Sequence, residues 1–383
     1  MGFKLREYIE PNFNEKRFSL SPNVTTEEVI KEGVAPDNYH ANSIYPEYFK
    51  INGRWVLAQE SRMDCVVVVK NDEEVEVKEF RNLKIGDKVV TGRTENASEG
   101  IYLYPYGFCQ NEEDKDVFAF RSGRSRETSY TKDYENLYEL LKYEKEHGYI
   151  VWVLGPAAVF AKGARDAMTY LIENGYVNAL FGGNAVGTHD LEGAMFNTAL
   201  GQDIYTQESI KDGHYHHLDL LNKARKAGSI EKLIEEENID SGIIHACIKN
   251  DIPIVLGGSL RDDGPLPIVI SDVYEAQDAM RHHIKRATTV ICLATQLHSI
   301  ATGNMTPSYR VVDEKIRPVY FYSVDVSEFA VNKLRDRGSL EVTTIVTNVQ
   351  DFWGKLKDNL YMGFGFNFLN FGYNLHIQFC ISA

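Results

Sequence analysis

Two glycines, an asparagine and an alanine, Gly182-Gly183-Asn184-Ala185, stand directly after the apolar run Val177 to Phe181. Backbone without Cβ atoms lets a ligand approach closely, and exposed N–H groups in such a turn favour phosphate. A second glycine turn, Gly155-Pro156-Ala157-Ala158, follows the run Tyr149 to Leu154. It lacks the G-x-G-x-x-G spacing and reads equally as a tight βα turn with nothing bound. Three more polar or glycine-bearing stretches follow apolar runs: Gly257 to Pro265, Ala294 to His298, and Asp325-Val326. His214, His216 and His217 are close enough to raise a metal reading. Their spacing suits no common pair on a helix face, and no carboxylate falls at a recognised ligand spacing. They are expected in a solvated or substrate-lining loop, and no metal site is expected. The five cysteines are scattered without a C-x-x-C. Neither a zinc site nor a disulfide framework is expected from them, and Cys65, Cys247 and Cys292 read as small buried hydrophobes.

These stretches need a scaffold that brings them together. Tyr149 to Leu154 is apolar on both faces and rich in β-branched and aromatic residues, as a strand of a parallel sheet should be. Ala157 to Ile172 reads as a helix closed by Asn174-Gly175, and Val177 to Phe181 as the next strand, completing a βαβ unit. Strands at Ile252 to Leu256, Thr288 to Leu293 and Pro318 to Val324 alternate with helices near Leu191 to Ala199, Ile230 to Glu237, Ser241 to Asn250, Ala276 to Ala287 and Phe329 to Arg337. Five strands, each followed by a polar or glycine-containing loop, predict an α/β domain with a Rossmann-like, mostly parallel sheet. Its carboxyl edge would carry all five loops and is where such sheets bind ligands. Ahead of it, Thr25 or Thr26 reads as a helix N-cap. A hairpin about Gly53 and runs at Asp64 to Val69, Val75 to Phe80 and Leu83 to Val90 then predict a smaller, mostly β domain. Tyr130 to His147 reads as an amphipathic helix leading into the central strand. The expected division is 1–125, 126–358 and a tail, 359–383. The tail holds no Asp, Glu, Lys or Arg and repeats phenylalanine at Phe364, Phe366, Phe368, Phe371 and Phe379. It is expected to pack on the domain or across an oligomer interface.

A length of 383 residues allows two or three domains, and 43% hydrophobic content is ordinary for a folded chain. The net charge of −14 argues against a general nucleic-acid binder, since phosphate backbones need a basic surface. Ser122 to Arg126 is only a small basic link. With no signal peptide and no apolar span of about 20 residues, the expectation is a cytoplasmic enzyme on a small molecule, a homo-oligomer, without membrane or nucleic-acid partner.

Glu60-Ser61-Arg62-Met63-Asp64, Gly182 to Ala185, Gly257 to Pro267 and Ala294 to His298 together resemble the archaeal-type ornithine cyclodeaminases. These are named for a region shared with lysine-ketoglutarate reductase/saccharopine dehydrogenase, and a related module ends the cyanobacterial arginine-to-proline enzymes. The resemblance covers about residues 1–357 and leaves the tail outside. The second domain is also similar, more distantly, to the NAD-binding fold of deoxyhypusine synthase. That synthase's reactive-lysine segment has only a faint echo in Lys315-Ile316-Arg317, and its lysine chemistry is not carried over.

The resemblance implies a redox-neutral use of NAD. Hydride leaves Cα of L-ornithine, the δ-amine closes on the resulting imino carbon, ammonia departs, and hydride returns to give L-proline. Asn184, Ala185, Asp263, Thr295, Gln296, Leu297, His298, Asp325 and Val326 are the implied cofactor contacts, with Asp325 on a ribose. Arg62 or Arg261 would hold the substrate carboxylate, and Asp262, Asp263 and Glu60 would serve the two amines as catalytic acids or bases. On their own terms Arg62 also reads as a surface ion pair, and Asp263, before Gly264-Pro265, as a turn-former. Two other functions stay open: a dehydrogenase on a lysine- or saccharopine-like amino acid, and a non-catalytic NAD-binding regulatory protein. Net NADH production separates the dehydrogenase from the cyclodeaminase.

Overall fold

The computed structural model describes residues 3–71, 73–108, 131–260, 264–327 and 340–361. The basic link 122–126, Arg261 to Asp263, the helix expected at Phe329 to Arg337 and the tail from 362 lie outside the described residues.

Residues up to 108 build two antiparallel sheets. One has four strands in the order Thr25–Glu28, Lys88–Thr91, Val66–Lys70, Glu74–Lys78; the other has three, Arg54–Leu57, Glu47–Ile51, Ile101–Leu103. The valine run works by its period of two. Val67 and Val69 pack with Phe49, Val75 and Ile101, while Val66 and Val68 pack with Val29, Leu83 and Val89. The hairpin turns on Asn52 and Gly53, both at positive φ (49° and 78°), the conformation a two-residue hairpin turn demands. The expected N-cap at Thr25 is corrected: Thr25–Glu28 is a strand paired antiparallel with Lys88–Thr91. Its β-branched threonines suit that ladder, and Thr25 Oγ1 meets Thr91 Oγ1 at 2.8 Å.

The second part is a seven-stranded, all-parallel sheet. Its spatial order is Val269–Ile270, Ile254–Gly257, Ala179–Gly183, Ile150–Leu154, Thr289–Leu293, Tyr320–Asp325, Glu341–Val346. The first four run backwards in sequence order and the last three forwards, so the order reverses between Ile150–Leu154 and Thr289–Leu293. Ile150, Trp152 and Leu154 face a layer containing Leu137, Leu141, Met168, Leu171 and Trp353; Val151 and Val153 face Met280, Ile284 and Met305. Helices Thr131–His147, Lys162–Glu173 and Val349–Tyr361 therefore lie on one face, and Val273–Ile284 and Leu297–Met305 on the other.

Several local expectations shift. The helix expected over Ala157 to Ile172 is a 3-10 turn, Pro156–Val159, and a separate helix, Lys162–Glu173; Ala161 between them is extended, and Lys162 N donates to Ile204 O at 3.1 Å. Gly182 and Gly183 finish a strand, paired with Leu256 and Gly257, and the helix Asn184–Phe196 starts without an intervening loop. Two strands beyond the expected five join the edges, one of them over the apolar run near Thr343. The helix Val349–Tyr361 crosses the boundary expected at 358.

Candidate functional site

The reversal of strand order fixes where the sheet can open. Two loops diverging from adjacent strands leave a crevice beyond their carboxyl ends. Here they leave Leu154 and Leu293, which sit side by side in the ladder. Gly155 N donates to Leu293 O at 2.8 Å, and Ala294 N to Val324 O at 3.0 Å, so the two loops are drawn together at their base. A Cβ on Gly155 would collide with the carbonyl oxygen of Ala294 and lie 3.0 Å from Thr295 N. Ala294 itself turns through φ 52°. Gly155 is thus required by the approach of the two loops.

On one side of that point the strand Ala179–Gly183 feeds the helix Asn184–Phe196. Its N-cap is Gly183, which gives no side-chain cap, so the first-turn N–H groups, that of Ala185 among them, are presented to the crevice. Asn184 Oδ1 accepts from Leu266 N (3.0 Å) and Thr188 Oγ1 (3.2 Å), which ties the helix start to the neighbouring loop. The glycine pair has a packing reason that the sequence did not announce. A Cβ on Gly182 would sit 3.2 Å from Leu154 O and from Val186, and one on Gly183 would sit 3.1 Å from the His298 ring.

On the other side, Thr295 and Gln296 lead into the helix Leu297–Met305, again without a side-chain cap. Thr295 Oγ1 lies 3.5 Å from His298 Nδ1. The imidazole rests over Gly183 and Gly257, and its burial holds its pKa below the ordinary 6.5, so the ring is neutral at pH 7. Leu297 is exposed, as is Val326 beyond the next strand. Asp325 ends that strand; its Oδ1 accepts from Ser327 N at 2.8 Å and its carbonyl from Thr347 N at 3.1 Å. Three strand spacings separate Asp325 from Gly183, about 14 Å at ~4.8 Å each, the scale of an extended dinucleotide. Two uncapped helix N-termini of like polarity, a glycine floor and a carboxylate at the far end are the donor set that a pyrophosphate flanked by riboses requires. The residues present fit NAD.

Buried charge holds this floor in place. Arg165 Nε donates to Asp190 Oδ1 at 2.9 Å, and Asp190 Oδ2 accepts from Ile244 N at 2.8 Å, clamping three helices. Glu192, fully buried, accepts from His189 Nδ1, Thr198 Oγ1 and the backbone N–H groups of Leu200 and Gly201. Burial pushes its pKa up, but these bonds prevail and the net shift is downward. His214 to His217, expected in a loop, lie in regular structure instead: Gly213–Tyr215 is a 3-10 turn and His216 opens a helix, with its Nδ1 on Thr198 Oγ1 at 2.8 Å. Among the described residues no His, Cys, Asp or Glu cluster could hold a metal.

The structure does not bring Glu60 and Arg62 to the crevice. Arg62 is buried at the domain junction, ion-paired to Glu79, with Nε donating to Asn304 O at 2.9 Å. Glu60 accepts from Arg281 at 2.9 Å, and Arg281 donates to Met305 O at 2.7 Å. Asn304 and Met305 end the helix Leu297–Met305, and His298 lies in its first turn, so the guanidinium of Arg62 is about 9 Å down the helix axis from His298. Glu79 and Arg281 escaped sequence reading because their partners are remote: Arg281 and Glu60 are 221 positions apart. Arg261, Asp262 and Asp263 lie outside the described residues.

Fold and crevice define an α/β protein of the Rossmann class, with a crevice at the switch point of a parallel sheet and a smaller β domain ahead of it. Two family descriptions match. "Arginine dihydrolase ArgZ-like, C-terminal, Rossmann fold" covers residues 136–356, and the corresponding first region covers 46–132. A protein of Methanopyrus kandleri named ornithine cyclodeaminase is 38% identical over 339 residues, 88% of this chain and 78% of its own length. One of Methanocaldococcus jannaschii with the same name is 39% identical over 338 residues, 86% of this chain and 76% of its own. The crystal structure of a conserved putative LOR/SDH protein from Methanococcus maripaludis S2 superposes with TM-score 0.76 at 33% identity, covering 90% of this chain and 98% of that one. The ternary complex of AgrE with ornithine and NAD+ superposes with TM-score 0.55 at 34% identity, covering 89% of this chain and 46% of that one. The chain belongs to the ornithine cyclodeaminase family of the archaeal and ArgZ-like type.

Proposed function

We propose that this protein is an NAD-dependent ornithine cyclodeaminase that converts L-ornithine to L-proline and ammonia. The observation that carries the reading is the crevice at the strand-order reversal, where two uncapped helix N-termini and Asp325 flank a glycine floor. The AgrE complex, holding ornithine and NAD+ together in a relative, supports both ligands for this chain. NAD+ bound here supplies the hydride acceptor and, once reduced, the donor, so the cycle has no net redox change.

The chain's own residues have separable tasks. First-turn N–H groups at Ala185 and at Leu297-His298 would hold the pyrophosphate, and Asn184, its carbonyl fixed by Leu266 N, would steady one end. Asp325 would accept from a ribose, and Val326 would cover it. Thr295, Gln296 and Leu297 would line the reacting half. His298, kept neutral by burial, has one ring nitrogen near Thr295 and can take or return a proton there without carrying a standing charge. Asp262 and Asp263 remain the proposed acid–base groups for the two amines, Arg261 is the proposed partner of the substrate carboxylate, and Asp263 is also a proposed cofactor contact. Glu60 and Arg62, engaged at the junction, are proposed to position the helix Leu297–Met305 from its far end. Incubation with L-ornithine and substoichiometric NAD+ tests the function: equal proline and ammonia in excess of the NAD+ support it, and conversion of the NAD+ to NADH without proline, or no turnover, overturns it.

A further inference from the structure

At the junction of the two domains a cavity of ≈ 230 Å³ is lined by Glu60, Glu76, Lys285 and Arg310, and by the strand segment Val75 to Val77. It lies at the other end of the sheet from the crevice. Lys285 caps the carboxyl end of the helix Val273–Ile284, four residues before the strand Thr289–Leu293 begins, and Arg310 belongs to the hairpin that precedes Tyr320–Asp325.

Its walls carry both signs of charge; Glu60 is held by Arg281 at 2.9 Å, and the remaining pairs are loose. Lys285 Nζ stands 3.7 Å from Glu60 Oε1, beyond hydrogen-bond distance. Glu76 is 3.6 Å from Lys70 and 3.5 Å from Lys78. Arg310 donates to the backbone oxygen of Arg286, with no carboxylate among its hydrogen-bond acceptors in the described residues, and burial lowers its pKa. Loose, part-exposed pairs are worth little to the fold and are readily exchanged for a ligand. Val75 and Val77 turn their side chains into the first domain's core. The strand Glu74–Lys78 is an edge strand, so one line of its backbone donors and acceptors faces away from the sheet.

A lone anion here would meet two carboxylates, and a lone cation two basic groups. A zwitterion satisfies both, with its carboxylate on Lys285 and Arg310 and its ammonium on Glu60, Glu76 and the edge backbone. The volume is below that of drug-sized ligand pockets and suits a small ligand. We propose that the domain junction is a regulatory binding site for a small zwitterionic α-amino acid, separate from the crevice. Coupling has a physical route: Glu60 also holds Arg281, Arg281 holds the end of the helix Leu297–Met305, and His298 sits at that helix's crevice end.

Calorimetry on the full chain tests this with L-proline and L-ornithine as probes. Choosing L-proline rests on the proposed function; the binding readout needs no turnover, so the two can fail separately. Saturable L-proline binding is expected, weakened about 10- to 100-fold in Lys285→Gln and in Arg310→Gln, the range set by losing one charge-assisted contact. NAD+ affinity without L-proline should be unchanged in Lys285→Gln, whose side chain is half-exposed and threatens no core. Saturating L-proline should change NAD+ affinity in the wild type, and NAD+ should change L-proline affinity by the same factor. Absence of saturable binding at millimolar concentration, or binding untouched by both variants, overturns the site. Equal NAD+ affinity with and without L-proline overturns its regulatory role. L-ornithine binding weakened by both variants, together with a raised ornithine KM, would make this the substrate site and overturn its separateness.

Discussion

A single methyl group added at Gly155 is expected to wedge the crevice apart. The new Cβ would fall inside the carbonyl oxygen of Ala294 and 3.0 Å from Thr295 N, both backbone atoms. No side chain can rotate away, so the two loops must separate. They are held by Gly155 N on Leu293 O and Ala294 N on Val324 O, at 2.8 and 3.0 Å. Overpacking costs about 1–3 kcal/mol, and a backbone clash belongs at the upper end. At roughly 2–4 °C per kcal/mol, Tm should fall by about 6–12 °C with the second domain as the unfolding unit. Because the separation occurs at the floor of the proposed nucleotide site, NAD+ affinity should fall at least about tenfold, some 1.4 kcal/mol. Gly163→Ala is the matched control. It lies in a helix with nothing within 4 Å of the added Cβ, and there the change should stabilise by about 0.4–1 kcal/mol and leave NAD+ binding alone. Thermal unfolding and calorimetry on both variants provide the test. A Gly155→Ala protein with wild-type Tm and wild-type NAD+ affinity would refute the reasoning about the switch point.

Asp190→Ala should cost about 3–5 kcal/mol in denaturant unfolding, because it strands the buried Arg165 guanidinium and the Ile244 N–H; a loss below 1 kcal/mol would show that the clamp is idle. Arg62→Ala should destabilise by about 3 kcal/mol, leaving Glu79 to Arg281 and Asn82, and should weaken NAD+ binding by freeing the far end of the helix Leu297–Met305; wild-type NAD+ affinity in that variant would show that Arg62 does not position the helix. Burial lowers the folded-state pKa of His298 and of His283 below 6.5. The unfolded chain therefore takes up those protons first as pH falls, stability declines below pH 6.5, and His298→Gln should flatten that slope; an unchanged slope would mean the ring is accessible to protons. Asp325→Ala should narrow the preference for NAD+ over NADP+, read as a ratio of Kd values, and an unchanged ratio would remove Asp325 from the 2′-hydroxyl.

What was legible in the sequence follows from how local the physics is. Tyr149 to Leu154 announced a doubly buried strand because an apolar run flanked by Gly-Pro has few other uses, and the five polar or glycine-bearing stretches did begin at carboxyl ends of parallel strands, Gly182-Gly183 as the strand end itself. Thr25 misled because a threonine before glutamates suits both an N-cap and an edge strand; the ladder with Lys88–Thr91, more than 60 positions away, decided it. The helix start at Asn184 was hidden because Gly182 and Gly183 look like a loop, whereas the parallel partners Leu256 and Gly257 extend the strand through them. Arg62 carried the right chemistry for a carboxylate. Its partner, Glu79, lies 17 positions away and meets it only through the fold of the first domain, and its acceptor, Asn304 O, could be found only once the domains were placed together.

L-Ornithine carrying deuterium at Cα gives the most direct measurement of the central claim. With substoichiometric NAD+, the account predicts proline that keeps deuterium at Cα, an equal amount of ammonia, and no accumulation of NADH, because the hydride leaves and returns within one bound state. Conversion of all the NAD+ to deuterated NADH, with the 2-keto acid or its cyclic imine in place of proline, would contradict it and make the protein a dehydrogenase.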